Sequence, residues 1–193
     1  MRLTIAILEN AVTRMNPLGE RELALRDLGL TSLEALTTAL ADIYDTLDFT
    51  GNLLGSADRP LIQADLVSAM SDIAERHVLD SMPRLARLNS LYLAHNRLER
   101  LPPAHMFAKR LPNLKVLVLA DNRVTSLASL EPLRSCAKLE RLVLVDNPVT
   151  SVEHYREWIA WRFPTVRALD YRRVSQSERD RGKQLFEQKT ASN

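Results

Sequence analysis

The chain repeats one arrangement of apolar and polar positions. "LYLAHNRLERLP" begins at Leu91, "LVLADNRVTSL" at Leu117 and "LVLVDNPVTSV" at Leu142. Each stretch opens with two apolar residues that flank one other position, and each places Asn five residues after its first Leu. The same pairing occurs at Leu23/Leu25 and Leu47/Phe49, so the steps between units are 24, 44, 26 and 25 residues, and Leu169 opens a weaker unit 27 residues later. Alternation of period two predicts a short strand with the paired side chains turned inward. A unit this small cannot bury its own leucines, but stacked units share one continuous core.

Steps of about 20–29 residues are those of leucine-rich repeats, and the 44-residue step is one repeat plus an insertion of about 20. The predicted fold is therefore α/β: a leucine-rich repeat solenoid with parallel strands on its concave face, helical caps at both ends and a helical insertion. Asn52, Asn96, Asn122 and Asn147 stand where the chain leaves each strand, placed to bond backbone groups and form a ladder from unit to unit. The first unit lacks the Asn and carries Asp27 and Leu28 instead. Short helices are expected on the outer side from about Glu131 to Cys136 and around His105 to Arg110, the second bounded by Pro102, Pro103 and Pro112.

The ends need closure. Thr4 to Met15 reads as one helix, capped by Thr4, with Ile5, Leu8 and Val12 on a face that covers the first repeat. Near the other end Tyr155, Trp158, Ile159 and Arg162 form a helical stripe that Pro164 stops, a lid holding both Trp158 and Trp161. "VRALDYRRV" reads as a last strand. Ser175 and Glu178 then have capping-box spacing and open a polar helix anchored by Leu185 and Phe186, with Gly182 as its weak point. In the insertion, Ile62, Leu66, Ala69, Ile73 and His77 share one helical face, which either packs on the convex side of the second repeat or meets a partner. The domain reading is residues 1–174 as one repeat domain, with the insertion at about 54–81 and a cap over 148–174, followed by a helix and tail over 175–193.

Composition narrows the function. Aromatic residues make up only 5% of the chain, so aliphatic side chains must fill the core. Cys136 is the single cysteine, which excludes an intrachain disulfide and suits a reducing compartment. No secretory signal is evident and no apolar run approaches the roughly 20 residues of a membrane helix, so a soluble intracellular protein is expected. His77, His95, His105 and His154 have no metal-ligand spacing, and neither a phosphate loop nor a zinc signature appears. No catalytic residue, metal, cofactor or small-molecule substrate is predicted. Asp121 and Asp146 precede the Asn of their turns, where Asp stabilises a bend.

Strand alternation gives the outward side chains: Glu22, Ala24 and Arg26; Thr46, Asp48 and Thr50; Ser90, Tyr92 and Ala94; Val116, Val118 and Ala120; Arg141, Val143 and Val145. Tyr92, Val118 and Val143 form an apolar centre flanked by Arg and Asp. This is either an interface anchor with a polar rim, suited to a helix lying in the trough, or simply the preference of Val for strands. Charge is uneven although the net charge is only +2. From Arg84 to Lys115 seven Lys/Arg stand against one acid, and from Arg162 to Lys183 seven stand against three. Arg167, Arg172 and Arg173 around the last strand either contact phosphates or form a solvated face.

Both ends together carry a resemblance. "LTIAILENAV", "ERELALRDLGL", "DTLDFTGNLL" and the long stretch from "DNPVTSVEHYREWIAWRFP" to "GKQLF" resemble, in order, the A-prime proteins of the U2 small nuclear ribonucleoprotein. The likeness covers nearly the whole chain except about residues 54–81. It implies a nuclear, non-catalytic role in pre-mRNA splicing. In that family the concave sheet grips the first helix of an RNA-recognition-motif protein, the B-double-prime subunit, and the pair binds a stem-loop of U2 small nuclear RNA. Carried over by position, Asp48, Tyr92, Val118, Arg141 and Val143 face the partner, with Arg26 and Thr50 beside them, and Arg167, Arg172 and Arg173 are RNA contacts. RNA is expected to be bound mainly through the heterodimer. The insertion departs from the family, and the family's longer charged C-terminal tail is largely missing. Dynein-associated light chains and acidic nuclear chaperone-like leucine-rich proteins share the general cap. An adaptor role in another complex is therefore the alternative.

Overall fold

A computed structural model describes residues 1–33, 35–36, 43–55 and 82–190. Among them the strands are β1 (Val12–Met15), β2 (Arg21–Ala24), β3 (Thr46–Asp48), β4 (Ser90–Tyr92), β5 (Val116–Val118), β6 (Arg141–Val143), β7 (Ala168–Leu169) and β8 (Arg172–Arg173). The helices are α1 (Ile5–Glu9), α2 (Ala104–Arg110), α3 (Tyr155–Arg162) and α4 (Gln176–Thr190), with 3-10 turns at Leu127–Ser135 and Pro148–Ser151. The strands form one sheet in chain order. β2 to β7 run parallel, and β1 and β8 pair antiparallel at the two edges.

The register explains the repeat. Leu23, Leu47, Leu91, Leu117, Leu142 and Leu169 lie side by side across six strands, each no more than 2% exposed. Leu25, Phe49, Leu93, Leu119 and Leu144 form a second, fully buried row. Complete burial of such a side chain contributes about 2 kcal/mol, and neither row exists without its neighbours.

Each unit leaves its strand the same way. Asp27, Gly51, His95, Asp121 and Asp146, each four residues after the first Leu, have φ between 48° and 73°. Asp tolerates this left-handed turn because its short side chain bonds locally. At Gly51 a Cβ would lie 1.9 Å from the Asp27 carboxylate, which would have to turn aside. The next residue is the ladder Asn. Asn122 donates to the carbonyls of Leu93 and Leu119 and accepts from Leu98 N–H. Asn52, Asn96 and Asn147 bond the equivalent groups of their own and the preceding unit. Each thereby satisfies backbone groups that burial would otherwise leave unpaired.

Three expectations need correction. The N-terminal segment is not one helix over Thr4–Met15. Thr4 caps it as foreseen, but α1 ends at Glu9, where the Asn10 side chain bonds back to Ala6 O, and Val12–Met15 is a strand. Ile5 and Val12 are exposed, while Leu8 packs against the core. The β-branched Val12 and Thr13 and the turn after Met15 favour a hairpin: Gly19, with φ 75°, donates to Asn16 O and closes the chain back onto β2. The outer connection near Glu131 is a 3-10 turn that ends before Cys136. "VRALDYRRV" is not one strand but a hairpin, β7–β8, turning at Asp170 and Tyr171, both with positive φ. The expected insertion helix, with Ile62, Leu66, Ala69, Ile73 and His77, lies outside the described residues.

The C-terminal lid buries Tyr155, Trp158, Ile159 and Ala160. Asp170 finishes the ladder by another route: its carboxylate accepts from Leu144 N–H at 2.7 Å and from the Tyr155 hydroxyl at 3.0 Å. α4 packs on α3, and Ser175 and Glu178 bond each other's N–H groups in the foreseen capping box. Gly182 sits at the crossing, where a Cβ would lie 2.3 Å from Glu157 O.

Candidate docking face of the sheet

The outward face has two lateral rows. One runs Arg14, Glu22, Thr46, Ser90, Val116, Arg141, Ala168, Arg173, and the other Val12, Ala24, Asp48, Tyr92, Val118, Val143. The face is graded. Its N-terminal half is polar and carboxylate-rich, its middle is apolar, and Arg141 and Arg173 stand at its C-terminal end.

The polar half is built by ion pairs that link neighbouring strands and turns. Arg14 donates to Glu22 at 2.7 Å, and Arg26 bridges Glu22 at 3.0 Å and Asp48 at 2.6 Å. Thr50 joins through its N–H, which donates to the other Asp48 oxygen. Glu20 accepts from Asn16, Thr46 and Ser90. Glu22 and Asp48 are buried, so their lone pairs need these partners, whereas both guanidinium groups remain nearly half exposed. Below this network Asp45 binds Arg87, and the charge-assisted bonds from Arg87 and Arg21 N–H outweigh its burial and hold its carboxyl below the ordinary range.

In the middle, Tyr92 and Val118 are half-buried and Val143 is 6% exposed. None of the three belongs to the cluster of core side chains between the sheet and its outer helices. Val143 is thus covered more fully than an open apolar centre would be, and Tyr92 and Val118 offer the accessible apolar area. Burial, then the carboxylates of Glu20, Glu22 and Asp48, push the Tyr92 phenol above its ordinary value, while Arg141 opposes them. The phenol is therefore a neutral hydrogen-bonding group at physiological pH.

The sequence-predicted residues fall into distinct groups. Arg26, Asp48 and Thr50 are bonded together, Tyr92, Val118 and Val143 share a row, and Arg141 lies in the adjacent row. Arg167, Arg172 and Arg173 do not form one patch. Arg167 lines a cleft with Lys115, Lys138 and Glu140, Arg173 stands beside Ala168 on the outward face, and Arg172 pairs with Leu169 in the opposite orientation. Sequence reading missed the roles of Arg14 and Glu20. Arg14 was hidden by the helix expected there, although Asn16-Pro17-Leu18-Gly19 is a legible turn signal.

Cys136 is buried, which pushes its thiol up to about 12 and leaves it unreactive. Among the described residues no group of His, Cys, Asp or Glu is arranged to hold a metal ion, and no helix is long and apolar enough to cross a membrane.

The comparisons with known proteins agree with this geometry. A leucine-rich repeat family profile matches residues 60–193. The U2 small nuclear ribonucleoprotein A′ of Aspergillus fumigatus is 39% identical over 96% of this chain and 63% of its own length. That of Schizosaccharomyces pombe is 36% identical over 97% of this chain and 68% of its own. The chain thus spans a little under two thirds of the first of these relatives. A chain in the crystal structure of the Drosophila melanogaster SNF/U2A′ complex superposes with a TM-score of 0.80 at 31% identity, covering 100% of this chain and 96% of that one. Sequence, register and superposition lead to one assignment: this chain belongs to the U2 small nuclear ribonucleoprotein A′ family of leucine-rich repeat proteins.

Proposed function

We propose that this chain is a non-catalytic, nuclear subunit of the U2 small nuclear ribonucleoprotein. Its outward sheet face docks a helix of an RNA-recognition-motif protein of the B-double-prime type, and the pair binds a stem-loop of U2 small nuclear RNA during pre-mRNA splicing. The observation that carries this reading is the graded face itself. Tyr92 and Val118 supply apolar area at its centre, the Arg14–Glu22–Arg26–Asp48 network fixes a polar rim on one side, and Arg141 and Arg173 border the other. An apolar centre inside a hydrogen-bonded rim is the anatomy of a protein interface. The Drosophila SNF/U2A′ complex, which pairs a chain of this fold with a second protein, supports the same direction.

The test is titration of the purified partner into wild-type protein and into the Tyr92→Asp/Val118→Asp variant. Two charges placed at the apolar centre are expected to weaken binding by at least about 30-fold, the scale of an interface hot spot, with the melting temperature held within a few degrees. Unchanged affinity would remove this face from the interface. The RNA part is tested by adding the stem-loop, where replacing Arg167 and Arg173 is expected to reduce the salt dependence of RNA binding.

A further inference from the structure

The β7–β8 hairpin carries a side chain that the fold does not use. Tyr171 is 77% exposed, the most exposed of the large apolar and aromatic side chains among the described residues. Its φ is 62°, following Asp170 at 50°, so it occupies the second central position of a two-residue hairpin turn with both residues left-handed. Gly is the usual residue there because it alone enters this region without steric cost. An aromatic residue in that conformation is disfavoured, and burial does not offset it. Backbone strain of this kind points to a role outside folding.

The surroundings define the role. Asp170 is the only acid of the hairpin, and its carboxylate is turned inward to Leu144 N–H and the Tyr155 hydroxyl. Arg172 and Arg173 follow Tyr171 and Arg167 precedes β7, and among the described residues no ion pair engages any of the three. The hairpin therefore presents one exposed ring with two exposed arginines after it, Arg173 on the outward face and Arg172 in the opposite orientation, while Arg167 stands apart in its cleft with Glu140. Apolar protein partners do not require that charge, and a phosphate backbone does not require the ring. A ligand with both a polyanionic backbone and exposed π faces satisfies both, and an RNA strand with unstacked bases is such a ligand.

We infer that Tyr171 is an RNA-contacting residue that stacks on an unpaired base at the end of the bound stem-loop, while Arg173 holds an adjoining phosphate. This inference rests on the RNA-binding part of the proposed function. It assigns a base contact where the sequence suggested only backbone contacts.

Because Gly relieves the turn, Tyr171→Gly is expected to keep or raise the melting temperature, which separates loss of contact from loss of fold. The assay measures RNA affinity of the partner alone, with wild-type chain, and with the Tyr171→Gly and Tyr171→Phe variants. The probes are a U2 small nuclear RNA stem-loop and a fully paired duplex of equal length. Tyr171→Gly is expected to lose about 5- to 100-fold in stem-loop affinity, the range of a single base stack, with Tyr171→Phe near wild type and duplex binding unchanged. If wild-type chain strengthens stem-loop binding and Tyr171→Gly keeps that gain in full, the inference fails and the proposed function stands. If wild-type chain adds nothing to the partner's RNA affinity, both fail. If Tyr171→Gly weakens partner binding in the absence of RNA, the hairpin is a protein contact and the inference is overturned.

Discussion

Both ends of the sheet are closed by an antiparallel strand, yet they are held by different physics. At the N-terminus α1 buries none of its residues fully and every side chain of β1 is exposed; strand pairing, the Arg14–Glu22 contact, the buried Leu3, the backbone bond from Leu3 N–H to Ser32 O and the partly buried Ile7, Leu8 and Ala11 attach it. At the C-terminus α3 buries four residues, and α4 covers α3. Trp161 stacks on Phe186 at 5.5 Å, and Arg179 donates to Ala160 O and Val166 O. Partly exposed ion pairs contribute little, whereas buried aliphatic and aromatic side chains contribute kilocalories each. The C-terminal closure is thus part of the cooperative core, and the N-terminal one opens at small cost. That difference bears on the docking face, because Val12 and Arg14 of β1 form its N-terminal margin.

The largest test of this contrast is a matched pair. Ile159→Ala, at a fully buried site, is expected to cost about 2–5 kcal/mol, and Ile5→Ala, 63% exposed, less than about 0.5. Equal losses by chemical denaturation would mean that the two ends are alike. Next, Gly182→Ala puts a methyl group against Glu157 O and is expected to cost about 1–3 kcal/mol, with α4 amides gaining faster hydrogen exchange while β1 amides are unaffected. The smallest effect is in pH. Burial opposes ionisation of Glu178, but bonds from Arg156 and Ser175 outweigh it and bring its carboxyl to about 2. A folded pKa below the ordinary 4.5 gives stability that is present above 4.5 and lost as pH falls from there toward 2. Glu178→Gln is therefore expected to lower the melting temperature near pH 7, with the difference from wild type shrinking toward pH 2. A constant difference would assign the loss to the cap geometry alone.

The same contrast explains what the sequence made legible. Strands β2 to β7, both leucine rows, the ladder asparagines and the lid around Trp158 are local periodic signals, and each follows from residue spacing. The N-terminal cap was misread because Ile5, Leu8 and Val12 also fit helical periodicity. The Asn16–Gly19 turn, which decides between helix and hairpin, lies just beyond that window. The Glu20 contacts to Thr46 and Ser90 join residues 26 and 70 apart in the chain, which no local pattern reports. Tyr171 escaped notice because an exposed and a buried tyrosine look alike in sequence. Its distinction is a positive-φ turn conformation next to Asp170, whose carboxylate accepts from Leu144 N–H and the Tyr155 hydroxyl.

Hydroxyl-radical footprinting of the Tyr92 ring, free and with the RNA-recognition-motif partner bound, tests the central claim most directly. The account predicts that partner alone protects Tyr92 and leaves Tyr171 reactive, with Tyr171 protected only after stem-loop RNA is added. A Tyr92 ring as reactive in the complex as in the free chain would contradict it.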